Sequence, residues 1–145
     1  MECELPSINS NKQEIKEIFG MVKTIAVLGL SPNVDKPSHR VAKYLQEQGF
    51  KIVPIYPKEE IILGEKVYRS LLEVPFEVDM VDIFRKPKEL DNVADACIKK
   101  GGVKVFWAQK EIVNNEAAAK AKDAGMRVVQ NMCSMVEHKL LKEGV

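Results

Sequence analysis

One stretch constrains this chain more than any other: residues 24–41, TIAVLGLSPNVDKPSHRV. It opens with four consecutive apolar residues, Ile25, Ala26, Val27 and Leu28. A run so short and unbroken suits a strand covered on both faces. The run ends at Gly29-Leu30-Ser31-Pro32, and from Ser38 onward Val41, Ala42 and Leu45 recur at helical spacing. Strand, glycine-containing loop and helix start are the opening of a nucleotide-binding βαβ unit. In such a unit backbone N–H groups and the helix N-terminus face an anion.

The rest of the chain repeats the alternation. Strands are expected over residues 24–30, 50–55, 78–84, 103–107 and 127–130. Helices are expected over 10–19, with Ser10 or Asn11 as cap, and over 38–49, closed by Gly49. Another begins at Pro87 and stops near Gly101-Gly102. A fourth covers 116–124, capped by Asn114 or Asn115, and a last helix follows Cys133. Residues 58–68 are less regular, a turn or a small strand, and 70–74 make one helical turn. Strands alternating with helices of this length predict a parallel sheet with right-handed crossovers. The fold class is α/β, a doubly wound parallel sheet of about five strands in a three-layer sandwich. The 145 residues suit one domain, 1–145, with 1–22 as an N-terminal helical extension. Residues 1–9 are expected to be disordered.

Composition removes several function classes. The formal net charge is +1, so no overall electrostatic attraction to nucleic acid or a membrane surface is expected. No apolar run approaches the roughly 20 residues that span a bilayer. The polar N-terminus predicts no signal peptide. Cys3, Cys97 and Cys133 are odd in number and widely spaced, which predicts reduced thiols and a cytoplasmic protein. His39 and His138 stand far apart, so no metal site is expected.

Doubly wound sheets bind ligands outside the carboxyl ends of their strands. The residues at those ends include Lys58, Arg85, Lys86 and Lys110, and Lys36, His39 and Arg40 surround the first helix start. A nearly neutral chain thus gathers positive charge where a ligand is expected. Phosphate groups are its natural counterpart, although strand ends also carry solvated Lys and Arg. The G-x-G-x-x-G fingerprint is absent, and Tyr56-Pro57-Lys58 stands where an acidic residue would hold a ribose. A hydride-transferring NAD enzyme is therefore disfavoured. G-x-x-x-x-G-K-S/T is absent too, which disfavours an NTPase.

Five elements then occur in order. They are IAVLGLSP with PSHRV; VPIYP leading to LGEKVY; VDMVDIFR; Trp107-Ala108-Gln109; and Asn131-Met132-Cys133. Together they resemble the small stand-alone CoA-binding domain proteins, and more distantly the CoA-binding domain of the succinyl-CoA synthetase α subunit. The resemblance covers about residues 24–138. It implies a Rossmann-like fold with coenzyme A, or acyl-CoA, as ligand. It implies that Gly29, Leu30, Ser31 and Pro32 form the loop against the CoA diphosphate, with Ser38, His39 and Arg40 at the helix start. Pro57 and Lys58 would lie near the adenosine. Ile83, Phe84 and Arg85 would flank the nucleotide or its phosphates. Trp107, Ala108 and Gln109 would line the path of the pantetheine arm. One position departs: Glu111 stands where similar proteins often carry Gly.

Taken alone, most of these residues admit two roles. Gly29 allows close approach of a ligand or only a tight turn. Ser31 donates to a phosphate or forms a local turn, and Ser38 caps the helix, binds phosphate or does both. Arg85 meets a phosphate or pairs with Glu89 or Asp82. Trp107 stacks on the ligand or fills the core edge. Asp79 and Asp82 are better read as hydrogen-bonding groups near the strand than as acid/base catalysts, because no partner base is identifiable. Cys133 is the only catalytic candidate, as a thiolate at a helix start, against packing as a small apolar residue. Cys97 reads as core.

No nucleophile–base pair emerges. The expected function is a non-catalytic CoA or acyl-CoA binding module: a carrier, a sensor or a subunit that serves a partner enzyme. The alternative is an enzyme acting on a CoA thioester or CoA disulfide through Cys133. A regulator binding NAD or another adenine nucleotide ranks lower. A homodimer through the C-terminal helix is a further expectation.

Overall fold

The computed structural model describes residues 5–144. In chain order the elements are α1 (Lys12–Met21), β1 (Thr24–Leu28), α2 (Pro37–Glu47), β2 (Lys51–Ile55), β3 (Ile61–Ile62) and β4 (Glu65–Lys66). Then come β5 (Met80–Ile83), α3 (Leu90–Lys100), β6 (Val105–Ala108), α4 (Asn115–Asp123), β7 (Arg127–Val129) and α5 (Ser134–Lys142). Short 3-10 turns cover Leu71–Glu73 and Pro87–Glu89.

Five strands form one parallel sheet in the order β2-β1-β5-β6-β7. This is the expected Rossmann-like α/β architecture. The order turns back at β1, which lies between β2 and β5, so the crevice falls at the carboxyl ends of β1 and β5.

Side chains alternate along each strand, and both faces are covered. Ala26, Leu28, Val81, Ile83 and Phe106 pack with Leu90 and Ala94 of α3 and Ala117 and Ala121 of α4. Ile25, Val27, Met80, Trp107 and Val129 pack with Ile15 and Ile18 of α1 and Val41 and Leu45 of α2. Partly buried Met135 and Leu141 of α5 join this second layer.

Both sheet edges are finished by other parts of the chain, which guards against edge pairing. At β2, Tyr68 N–H donates to the Pro54 carbonyl and Tyr56 N–H to the Tyr68 carbonyl, both at 3.0 Å. Pro54 fits inside β2 because its nitrogen shares this outer side, where no ladder donor is lost. At β7, Ser10 Oγ donates to the Val128 carbonyl at 2.7 Å. The Asn9 side chain makes a two-way bond with the Gln130 backbone, at 3.0 and 2.9 Å.

The expected disorder of residues 1–9 is therefore corrected for residues 5–9, whose polar groups replace the missing neighbour of β7. Residues 1–4, and Cys3 with them, lie outside the described residues. Ser10 is spent on this contact, and Asn11 caps α1 in a reciprocal box with Glu14. Residues 58–68 form a hairpin of β3 and β4 that turns at Leu63-Gly64. Pro87 does not begin α3. It opens a separate 3-10 turn in which Glu89 N–H donates to the Lys86 carbonyl, and the α-helix starts at Leu90.

Candidate anion site at the carboxyl ends of β1 and β5

The β1 ladder continues one residue beyond the strand. Gly29 N–H donates to the Ile55 carbonyl at 2.9 Å, and Phe84 N–H to the Leu28 carbonyl at 2.9 Å. Gly29 has φ +87°, and a Cβ there would stand 2.6 Å from the Phe84 carbonyl oxygen. The chain can turn here, this close to β5, only without a side chain.

The loop that follows is tied to α2 by side chains. Ser31 N–H donates to Ser38 Oγ at 3.0 Å, and His39 Nδ1 donates to the Ser31 carbonyl at 2.9 Å. Ser38 is thus not the helix cap; α2 begins at Pro37, and Lys36 in the cap position makes no side-chain cap bond. The N-terminal turn of α2 is left without an acidic or capping side chain.

A cavity of about 490 Å³ opens over this corner. Gly29, Ser31 and Ser38 line one side, Tyr56 and Pro57 the next, and Phe84, Arg85 and Glu89 the third, with Lys36 at its edge. Arg85 is 3.7 Å from Glu89, and its Nε is buried without a hydrogen-bond partner. Among the described residues no other buried side-chain nitrogen or oxygen is in that state. A second cavity, of about 270 Å³, lies on the α3 side of Arg85 and Glu89 and is lined by Leu28, Ile55, Arg69 and Asn92. A third, of about 450 Å³ between α1 and α5, lies on Lys12, Gln13, Lys16 and Leu141 and not at the strand ends.

The structure divides the expected ligand residues. Gly29, Ser31, Ser38, Pro57, Phe84 and Arg85 line the cavity together. Pro32 and Lys58 are exposed beside it, and the Lys58 carbonyl accepts from Arg69 Nη1 at 3.0 Å. Arg40 Nη1 donates to the Asp35 carbonyl, so its guanidinium braces the loop. Leu30 and Ile83 are fully buried, so only their backbone stands near the rim.

The side chains of the fourth element are enclosed. Trp107 and Ala108 are 0% exposed and Gln109 3%, so their side chains lie behind the rim and line no open path. The Trp107 ring packs 5.4 Å from Phe19, and its Nε1 donates to the Met132 carbonyl at 2.8 Å. Gln109 Nε2 donates to Asp82 Oδ1 and, at 2.8 Å, to Ser134 Oγ. Ser134 Oγ donates to Asp82 Oδ2 at 2.8 Å. Glu111 has φ +71°, and its N–H donates to Asn131 Oδ1. The Gly of similar proteins suits that left-handed backbone better.

Cys133 precedes α5, half-buried against the second core layer with Met132. Cys97 is buried, and burial pushes its thiol up to about 12. Both are free. Asp79 lies at the opposite end of β5. Burial acts to raise it, but the Thr24 and Lys23 amides and Lys104 outweigh this and hold its carboxyl below the usual range.

Comparisons with known proteins bear on this geometry. The profile of the family described as "CoA binding domain" matches residues 23–139. This chain belongs to that family. It is 40% identical over 134 residues to YneT of Bacillus subtilis, an uncharacterised protein, covering 92% of this chain and 98% of that one. It is 33% identical over 127 residues to the acetate–CoA ligase (ADP-forming) II subunit alpha of Pyrococcus furiosus. That match covers 81% of this chain but only 28% of the ligase subunit. A solved hypothetical protein from Pyrococcus horikoshii OT3 superposes with a TM-score of 0.88 at 40% identity, covering 98% of this chain and 99% of that one.

Two features of this CoA binding domain escape a reading of the sequence. Arg69 Nη1 donates to the carbonyls of Tyr56, Lys58 and Glu59 at 3.1, 3.0 and 2.8 Å, clamping the loop after β2. Only the folding of the β3–β4 hairpin brings it there, so no local pattern marks it. The second is the Asp82–Gln109–Ser134 network. Asp82 is visible as a polar break in a strand, but its partners lie 27 and 52 residues away.

Burial raises the Asp82 carboxyl to about 7, against the pull of bonds from Gln109 and Ser134. A carboxyl raised on folding acts opposite to the usual acid. Below its unfolded value both states are protonated, so the group adds nothing to the pH dependence. Between about 4 and 7 the native state keeps a proton that the unfolded chain has released, so stability falls as pH rises. Above about 7 the contribution is flat. The loss across the window is on the order of 4 kcal/mol at most. Urea unfolding of wild type and Asp82→Asn between pH 4 and 8 measures it. The expected result is a falling difference, wild type minus variant, across that window. A constant difference would show that Asp82 does not titrate there.

Proposed function

We propose that this domain binds coenzyme A or acyl-CoA with the diphosphate on the Gly29–Ser31 loop and the start of α2, and that it acts as a carrier, sensor or subunit. The observation that carries the reading is Arg85. Its Nε is a buried donor without a partner, beside a loop and a helix N-terminus that carry no acidic cap. A buried unpaired donor is costly, and a phosphate oxygen is the acceptor that best offsets it. Membership of the CoA binding domain family favours CoA over other phosphate esters. The likeness to one part of a ligase subunit supports a module that presents CoA to a partner. Among the described residues no base is paired with Cys133, which leaves the thioester-enzyme reading without support from the geometry.

Calorimetric titration with CoA, with NAD, ATP and AMP as controls at two salt concentrations, tests the proposal. Saturable CoA binding is expected, with little response to the controls. Arg85→Ala is expected to weaken it by roughly 10- to 100-fold, the range for a charged hydrogen bond. The absence of CoA binding, or equal binding of every adenine nucleotide, removes the assignment.

A further inference from the structure

Asp82 is the only fully buried acid among the described residues, and it does not line the cavity at the rim. It stands in β5 with Val27 of β1 and Trp107 of β6 as register partners. Gly29 lies two residues beyond Val27. Strand geometry therefore places the Asp82 and Gly29 backbones about 8 Å apart. The carboxyl is held by two neutral side chains, Gln109 and Ser134.

The titratable groups on the surrounding elements make no bond to it. His39 of α2 is engaged with Ser31, and His138 of α5 with Tyr44. Cys133 adjoins Ser134, and the rim cations Lys36 and Arg85 line the cavity, Arg85 facing Glu89. Among the described residues no Lys, Arg or His forms an ion pair with Asp82. An uncompensated acid thus lies directly behind a rim suited to an anion.

We infer that Asp82 is a positioning residue whose charge opposes the polyanion on the first loop, so that binding CoA draws a fraction of a proton from solvent onto its carboxylate. The inference rests on the CoA reading above. The proton adds to Asp82 Oδ2, the carboxylate becomes a neutral acid, and no other bond changes. The 2.8 Å contact with Ser134 Oγ persists with donor and acceptor exchanged. Charges meeting through protein interior are weakly screened, so a diphosphate across this distance is felt at the carboxyl. Burial already places the group where a small push changes its state near neutral pH. Linkage makes the effect reciprocal: CoA favours the protonated form, and the protonated form favours CoA.

Calorimetric titration of the full chain with CoA, in buffers of different ionisation enthalpy at pH 7.5, reads the proton uptake directly. The phosphate of CoA also titrates, so the quantity is the difference between wild type and Asp82→Asn. Wild type is expected to take up about half a proton more per CoA, and its affinity relative to the variant to fall about tenfold between pH 6 and 8.5. Should Asp82→Asn fold poorly, Ser134→Ala serves. It removes a donor to the carboxylate and is expected to move the uptake maximum to higher pH. Equal uptake in wild type and Asp82→Asn, or an unmoved maximum in Ser134→Ala, overturns the inference while leaving CoA binding intact. No CoA binding at any pH overturns both.

Discussion

Gly29→Ala is expected to destabilise the fold by about 3 kcal/mol and to remove CoA binding with it. Two costs combine. At φ +87° an L side chain meets its own backbone, at about 1–2 kcal/mol. The added Cβ would also stand 2.6 Å from the Phe84 carbonyl oxygen. That oxygen is backbone, so no side-chain rotation relieves the overlap. β1 and β5 would have to part at the end where Phe84 N–H bonds to Leu28. Overpacking of this kind costs about 1–3 kcal/mol more. Urea unfolding measures the sum, and Gly49→Ala separates its parts. Gly49 has φ +101° with nothing near its Cβ position, so only the conformational cost is expected there. Equal losses at the two glycines would show that the approach to Phe84 is not tight.

Trp107→Ala is expected to cost more, about 4 kcal/mol and roughly 10–20 °C of melting temperature. The side chain is wholly buried between α1 and the sheet, against Phe19. Removing it opens a large cavity and strips the Met132 carbonyl of its donor. Trp107→Phe keeps most of the volume and is expected to lose about half as much, with CoA affinity retained. Thermal unfolding and CoA titration of the two variants decide between roles. A stable Trp107→Phe protein that no longer binds CoA would return the ring to the ligand.

The fold was legible because its signals are local. Four apolar residues ending at Gly29, and the glycines that stop α3 at Gly101 and close the turn after α4 at Gly125, mark strand and helix boundaries within a few residues. The half of the candidate site nearest β1 was legible for the same reason: Gly29, Ser31 and Ser38 lie within ten residues of one another, and their order implies that they line one cavity. Arg85 was legible as a charge following a buried strand. Its unpartnered Nε was not, since that depends on what fails to reach it.

The fourth element shows where pattern stops. Trp107-Ala108-Gln109 ends a strand as expected, but whether an end is open depends on the cover above it. α5 and the Asn131–Cys133 stretch fold back over these residues and bury them. In the same way Ser38, placed as a cap by its type, instead holds the loop, because Pro37 starts the helix one residue earlier. Period and punctuation follow from backbone sterics and apolar spacing, so element order, the parallel sheet and the end at which the cavity opens were already present in the chain. Burial, pairing and the state of Asp82 depend on residues distant in sequence meeting in space. Those were settled only by α5 packing over β6 and enclosing Asp82 with Gln109 and Ser134 behind the rim.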